Sequence, residues 1–145
     1  MSASTKRSAA NVAGNLATIL FAATIILQLL LAVGILPITM AWGGRQPVLT
    51  TGLRLASLAA IAILAFFAYV IRRRAGLLGD VPPSRTIKVL SWVITAFLAL
   101  NTLGNLASQS TEEKILFGPI SLLLALSCLV VSVSKPQQVP TGNQT

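Results

Sequence analysis

Histidine is absent from this chain, cysteine occurs once (Cys128), and Asp80, Glu112 and Glu113 are its only acidic residues. Without an imidazole, histidine metal ligation, haem ligation through histidine and histidine general-base chemistry are excluded. A lone cysteine admits no intramolecular disulfide and no CxxC redox or zinc pair. Three carboxylates, with Asp80 far from the other two in sequence, leave few candidates for acid–base or nucleophilic catalysis. The chain is therefore expected not to be an enzyme and to carry no cofactor and no metal. Charge of either sign is scarce as well. Only 10% of residues are charged, against about 25% in soluble domains, too few to cover a water-exposed surface.

What charge there is has one sign: the formal net charge is +8. A basic chain can be a nucleic-acid binder, but here the basic residues flank apolar runs and form no stripe on a soluble face. No nucleic-acid partner is expected. The rest of the chain is 54% hydrophobic, with a mean hydropathy of +0.82. These apolar residues gather into four runs, each near the length of about 20 residues that a helix needs to cross a bilayer. The sequence thus reads as all-α, an integral membrane four-helix bundle with spans at about 12–36, 52–71, 87–107 and 114–133. These form a single domain over 12–134, with polar, disordered tails at 1–11 and 135–145.

A cleaved signal peptide is a minor alternative reading of the first run, with Lys6-Arg7 as its basic start and Thr39-Met40-Ala41 as a loosely small-residue cleavage site. The run is longer than the roughly 7–15 apolar residues of such a segment. Pro37 is expected to end the first helix. The following loop contains Trp42-Gly43-Gly44-Arg45-Gln46-Pro47, rich in turn formers. That string reads either as a ligand or partner lip or as an interfacial tryptophan beside a glycine turn. Thr50 or Thr51 can cap the second helix, and Gly76 is suited to a left-handed stop after Arg72-Arg73-Arg74. Ser110-Thr111-Glu112-Glu113 has the form of a capping box. Pro119, which lacks an N–H and crowds the Ile115 carbonyl, predicts a kink in the fourth helix.

Four spans put both ends of the chain and the arginine triplet on one side. That side holds Lys6, Arg7, Arg72, Arg73, Arg74, Arg85, Lys88 and Lys135, leaving Arg45, Arg54 and Lys114 opposite. The positive-inside bias then places both termini in the cytoplasm, as expected for a multi-pass protein of a cell membrane, the bacterial inner membrane in particular. Arg72, Arg73 and Arg74 read as a topology anchor that meets anionic headgroups. Specific recognition of a phosphorylated lipid or acidic partner is the sharper alternative.

Inside the membrane, contacts between helices favour small and hydrogen-bonding residues. Such faces are expected along Ala17, Thr24 and Gln28; Ser57 and Ala60, then Ala65 and Ala68; Asn101, Gly104, Asn105 and Ser108; and Ser121, Ala125, Cys128 and Ser132. Gln28 and Asn101 each lie eight residues from an outer boundary, about 12 Å deep at 1.5 Å per residue. Their amides are expected to face inward, with Thr24 and Asn105, as structural glue or as the lining of a polar path. On the outer side Arg45 or Arg54 is expected either to pair with Glu112 or Glu113 or, for Arg54, to reach headgroups while the glutamates only cap the fourth helix.

Two functional classes remain: a structural, accessory or assembly protein, alone, as a homo-oligomer or with a partner membrane protein, or a small transporter or channel. Coupled transport normally places an ionisable residue inside the membrane, and no span here carries one near its middle. The layout resembles that of the small multidrug resistance transporters, which implies an embedded glutamate; residues 12–36 contain none, and no family is assigned on layout alone.

Overall fold

A computed structural model of the protein describes residues 3–79 and 81–134, with side chains from Ala9 onward. Its regular structure among these residues is helical, and four helices are long and apolar enough to cross a membrane. Helix α1 spans Ala3–Val33, α2 Thr51–Arg74, α3 Arg85–Leu106 and α4 Gly118–Val133. Short 3-10 turns at Ile38–Met40 and Trp42–Gly44 lie between α1 and α2. The expected tail at 135–145, with Lys135, lies outside the described residues, as do Asp80 and the side chains of Lys6 and Arg7.

The helix ends follow local chemistry, with two corrections to the sequence reading. Helical geometry begins at Ala3, so most of the segment read as a tail at 1–11 continues α1. That segment holds no proline or glycine and has alanines at 3, 9 and 10, so nothing in it breaks the helix. At its other end α1 stops at Gly34, three residues before Pro37. Gly34 takes φ +81°, its N–H bonds to the Leu31 carbonyl at 3.1 Å, and the Ile35 N–H reaches Leu30 at 2.9 Å. This left-handed cap satisfies the last carbonyls, which proline could not do.

Gly76 closes α2 in the same way, at φ +75°. The Leu77 N–H bonds to Arg72 and the Gly76 N–H to Arg73. The Thr50 hydroxyl accepts from the Leu53 N–H at the start of α2, and Ser84 accepts from Ile87 at the start of α3. Side-chain oxygens at these positions take up amides that the first turn leaves free.

The entry to α4 is a π-helical turn over Glu113–Phe117, in which the Gly118 N–H bonds to the Glu113 carbonyl. Pro119 follows directly. With no N–H of its own it cannot bond to Ile115, and a wider turn accommodates its ring.

The helices pack α1 on α2, α2 on α3, α3 on α4 and α4 on α1. Neighbours run antiparallel: Gly14 meets Ala75 at one end of the α1–α2 pair and Gly34 approaches Arg54 at the other. The core between them is apolar, built on Phe21, Val70, Ile71, Ile94, Leu98, Leu124 and Val131. Edge-on contacts link Phe21 to Phe67 and Phe67 to Phe97, with ring centroids 6.5 and 5.5 Å apart, a favoured aromatic geometry. Polar side chains concentrate toward the two ends of this core.

Candidate functional site

At one end the three consecutive arginines fan out, because successive residues on a helix point about 100° apart at 3.6 residues per turn. Arg72 donates to the Thr18 hydroxyl of α1 at 3.2 Å. Arg73 donates to the Leu78 carbonyl of the turn that follows α2. Arg74 crosses to α4 and donates to the Ser132 carbonyl at 2.9 Å and to that of Ser134. Arg74 is only 7% exposed. Its charge thus sits against the last carbonyls of α4, the negative end of that helix dipole. The Nε of Arg74 is buried without a partner. Beside this link the Thr95 and Ser132 hydroxyls lie 3.2 Å apart and tie α3 to α4. The triplet is therefore a three-way clamp joining α2 to α1, to its own turn and to α4.

The opposite end is organised by Glu113. Its carboxylate accepts from the Gly43 N–H at 3.0 Å and from the Ser108 hydroxyl, and the residue is buried. The Gln109 N–H returns a bond to the Gly43 carbonyl, so the Trp42–Gly44 turn is held to the α3–α4 turn from both sides. Close approach explains the glycine at 44: a Cβ there would lie 2.7 Å from both the Cβ and the backbone nitrogen of Ser110. Trp42, Gly43 and Gly44 all have positive φ. For Trp42, at φ +57°, this left-handed conformation costs roughly 1–2 kcal/mol, and the loop-to-turn bonds sustain it. The indole is 40% exposed.

Only half of the capping box forms. The Ser110 hydroxyl accepts from the Glu113 N–H at 3.2 Å, but the Ser110 N–H bonds to the Ser108 hydroxyl instead of the Glu113 carboxylate. Ser110 also donates to the Glu112 carboxylate at 2.9 Å. Hydrogen bonds from the Glu112 backbone and from Ser110 hold the Glu112 carboxyl below its ordinary value.

Of the two alternatives for the outer side, pairing of Arg45 or Arg54 with these acids is not formed among the described residues. Arg54 donates to the Ala32 carbonyl at the end of α1, at 3.0 Å, and Arg45 is exposed. A guanidinium in the first turn of α2 lies level with the unsatisfied carbonyls of α1, and these are nearer than either glutamate.

The candidate interior residues divide. Asn105 is buried and donates to the Phe117 carbonyl at 3.2 Å and to the Ser121 hydroxyl at 3.1 Å, so it binds α3 to α4. The Thr24 hydroxyl turns back to Leu20 of its own helix. Gln28 is half-buried, and its Oε1 has no partner. Asn101, expected inside, is exposed. The buried face of α3 is centred on Ser91, Thr95, Leu98, Thr102 and Asn105; Asn101 lies just outside that arc, and Gly104 further round.

Ser57, expected on an inward face of the second helix, is fully buried, and its hydroxyl has no partner. One turn in from the Arg54–Ala32 bond, Ser57 on α2 lies at the level of Gln28 on α1. A shallow groove between α1 and α4, flanked by Val12, Leu16, Leu123 and Leu126, is apolar throughout most of its lining and offers nothing to a polar substrate. The chain matches no protein-family model, no curated protein sequence and no solved structure.

Proposed function

We propose that the chain is a non-enzymatic multi-pass protein of a cell membrane, a bacterial inner membrane in particular, with a structural, accessory or assembly role. In this reading the four helices form a transmembrane bundle, both termini and the arginine clamp face the cytoplasm, and the fourth helix bends near Pro119. The orientation is supported by the eight-to-three division of basic residues between the two sides, since positive loops are retained inside. Exposed Arg85 and Lys88 on the arginine side suit contact with anionic headgroups, at about 1 kcal/mol per basic residue.

One observation carries the structural role: Arg74, Asn105 and Glu113, all buried, are engaged within the chain. Arg74 holds α4, Asn105 joins α3 to α4, and Glu113 holds the loop after α1. Groups committed this way fix a packing arrangement. A second reading, a small transporter or channel, draws on Gln28 Oε1 and Ser57 Oγ, buried and unpartnered at one level. Such atoms cost free energy unless water or a solute reaches them.

Flux through reconstituted liposomes separates the two. The structural reading expects proton and monovalent-cation leak equal to that of protein-free vesicles. A saturable flux abolished by Gln28→Leu would replace it with the transport reading.

A further inference from the structure

Asn101 is the residue whose position the packing within one chain does not explain. It lies eight residues from Gln109 and thirteen from Lys88 on the same helix, about 12 Å from one boundary and about 20 Å from the other at 1.5 Å per residue. Those distances together match a hydrocarbon core of about 30 Å. Asn101 is nevertheless exposed, beside the buried arc of α3, where lipid tails offer no hydrogen bond and an unmet polar group is costly.

Next to it the surface is shaped for close approach. Gly104, one turn on, is exposed, and a Cβ built there meets nothing within 4 Å. Leu100, 68% exposed, and Phe97, 49% exposed, flank the amide. A glycine beside a hydrogen-bonding side chain is the combination that lets two helices meet in a bilayer.

We infer that this face of α3 is the contact between two copies of the chain, with Asn101 bonded to Asn101 of the second copy. The occupant follows from the chemistry of the amide. A carboxamide carries both a donor and an acceptor, so across a two-fold axis each Asn101 satisfies the other with no further residue type. Two-fold contacts bring the same patch onto itself, and Gly104 leaves room for the two backbones to approach. The inference rests on the membrane reading above, since in water the amide would be solvated and would need no partner.

The test uses the full chain in lipid vesicles, with dimerisation followed by energy transfer between labelled copies over a range of protein-to-lipid ratios. Carbonate extraction and flotation of the same samples report membrane integration. The wild type is expected to dimerise, and Asn101→Leu to weaken dimerisation roughly tenfold, the loss of two symmetric amide bonds in a bilayer. Gly104→Leu should weaken it too; a Cβ there meets nothing within 4 Å in the monomer, and the integration readout separates misfolding from lost contact. Gly104→Cys should give a disulfide-linked dimer under mild oxidation.

An integrated wild-type chain that stays monomeric would overturn the inference and leave the membrane reading intact. Dimers indifferent to both leucine substitutions would overturn it as well, placing the contact elsewhere. Pairing only when another membrane protein is added would show a different occupant of this face and overturn the second copy. A chain extracted by carbonate would overturn the membrane reading itself.

Discussion

Replacing the three arginines one at a time separates two accounts of the triplet. If it acts only through charge, Arg72→Ala, Arg73→Ala and Arg74→Ala each remove one positive charge from the same side and have equal effects. The clamp geometry predicts unequal ones. Arg74 donates to two carbonyls of α4, and hydrogen bonds from a charged donor are worth roughly 1.5–3 kcal/mol each. Against this gross gain of about 3–6 kcal/mol stands its buried, unpartnered Nε, at about 1–3 kcal/mol.

The net loss in Arg74→Ala is therefore about 2–3 kcal/mol. Arg72 and Arg73 are only half-buried, so water competes for the single bond each makes, and Arg72→Ala and Arg73→Ala should each cost about 1 kcal/mol. Arg74→Lys is the sharper variant, because it keeps the charge while its shorter side chain falls short of Nη2, the one nitrogen that donates to both carbonyls. Reversible unfolding in bicelles, driven by a denaturing detergent and followed by circular dichroism, gives the ranking. Three equal losses, or an Arg74→Lys protein as stable as the wild type, would refute the clamp.

At the opposite end, Glu113→Ala should cost about 2–3 kcal/mol by leaving the Gly43 N–H and the Ser108 hydroxyl without an acceptor. Glu113→Gln keeps an acceptor oxygen and should cost less, and hydrogen exchange at Gly43 should rise in the first and barely change in the second. Gly44→Ala should destabilise more than Gly43→Ala in the same unfolding assay. Both put a side chain at positive φ, about 1–2 kcal/mol, but only at 44 does the new Cβ meet Ser110.

Glu112 supplies a pH dependence whose sign is fixed by its lowered pKa. The ionised carboxylate is favoured by folding, so its contribution is present above the unfolded value and is lost as pH falls through the lowered folded one. The stability difference between wild type and Glu112→Gln should accordingly shrink as pH drops below the ordinary carboxylate range.

The helices were legible because hydropathy and helix-end chemistry agree: four long apolar runs are separated by residues such as Thr50, Gly76 and Ser110, each of which starts or stops a helix in the structure. Pro37 misled, since a proline forbids a helix but a left-handed glycine upstream can close it first. The polar residues were harder to place. A residue's depth follows from its count along the span, but its direction depends on which neighbours the helix meets. Asn101 and Asn105 share a stripe by spacing, yet only Asn105 turns inward. The arginine clamp and the Glu113–Gly43 link join residues far apart in sequence, between groups such as backbone carbonyls and amides that every residue possesses. No residue pattern marks those partners in advance.

The orientation of the four helices decides on which side each clamp lies, and it can be read by cysteine accessibility. With Cys128 replaced by alanine, Gln46→Cys and Arg85→Cys are treated in intact spheroplasts with a membrane-impermeant maleimide. Labelling of Gln46→Cys, with Arg85→Cys labelled only after permeabilisation, is the predicted result. Labelling of Arg85→Cys in intact spheroplasts, with Gln46→Cys protected, would contradict the account.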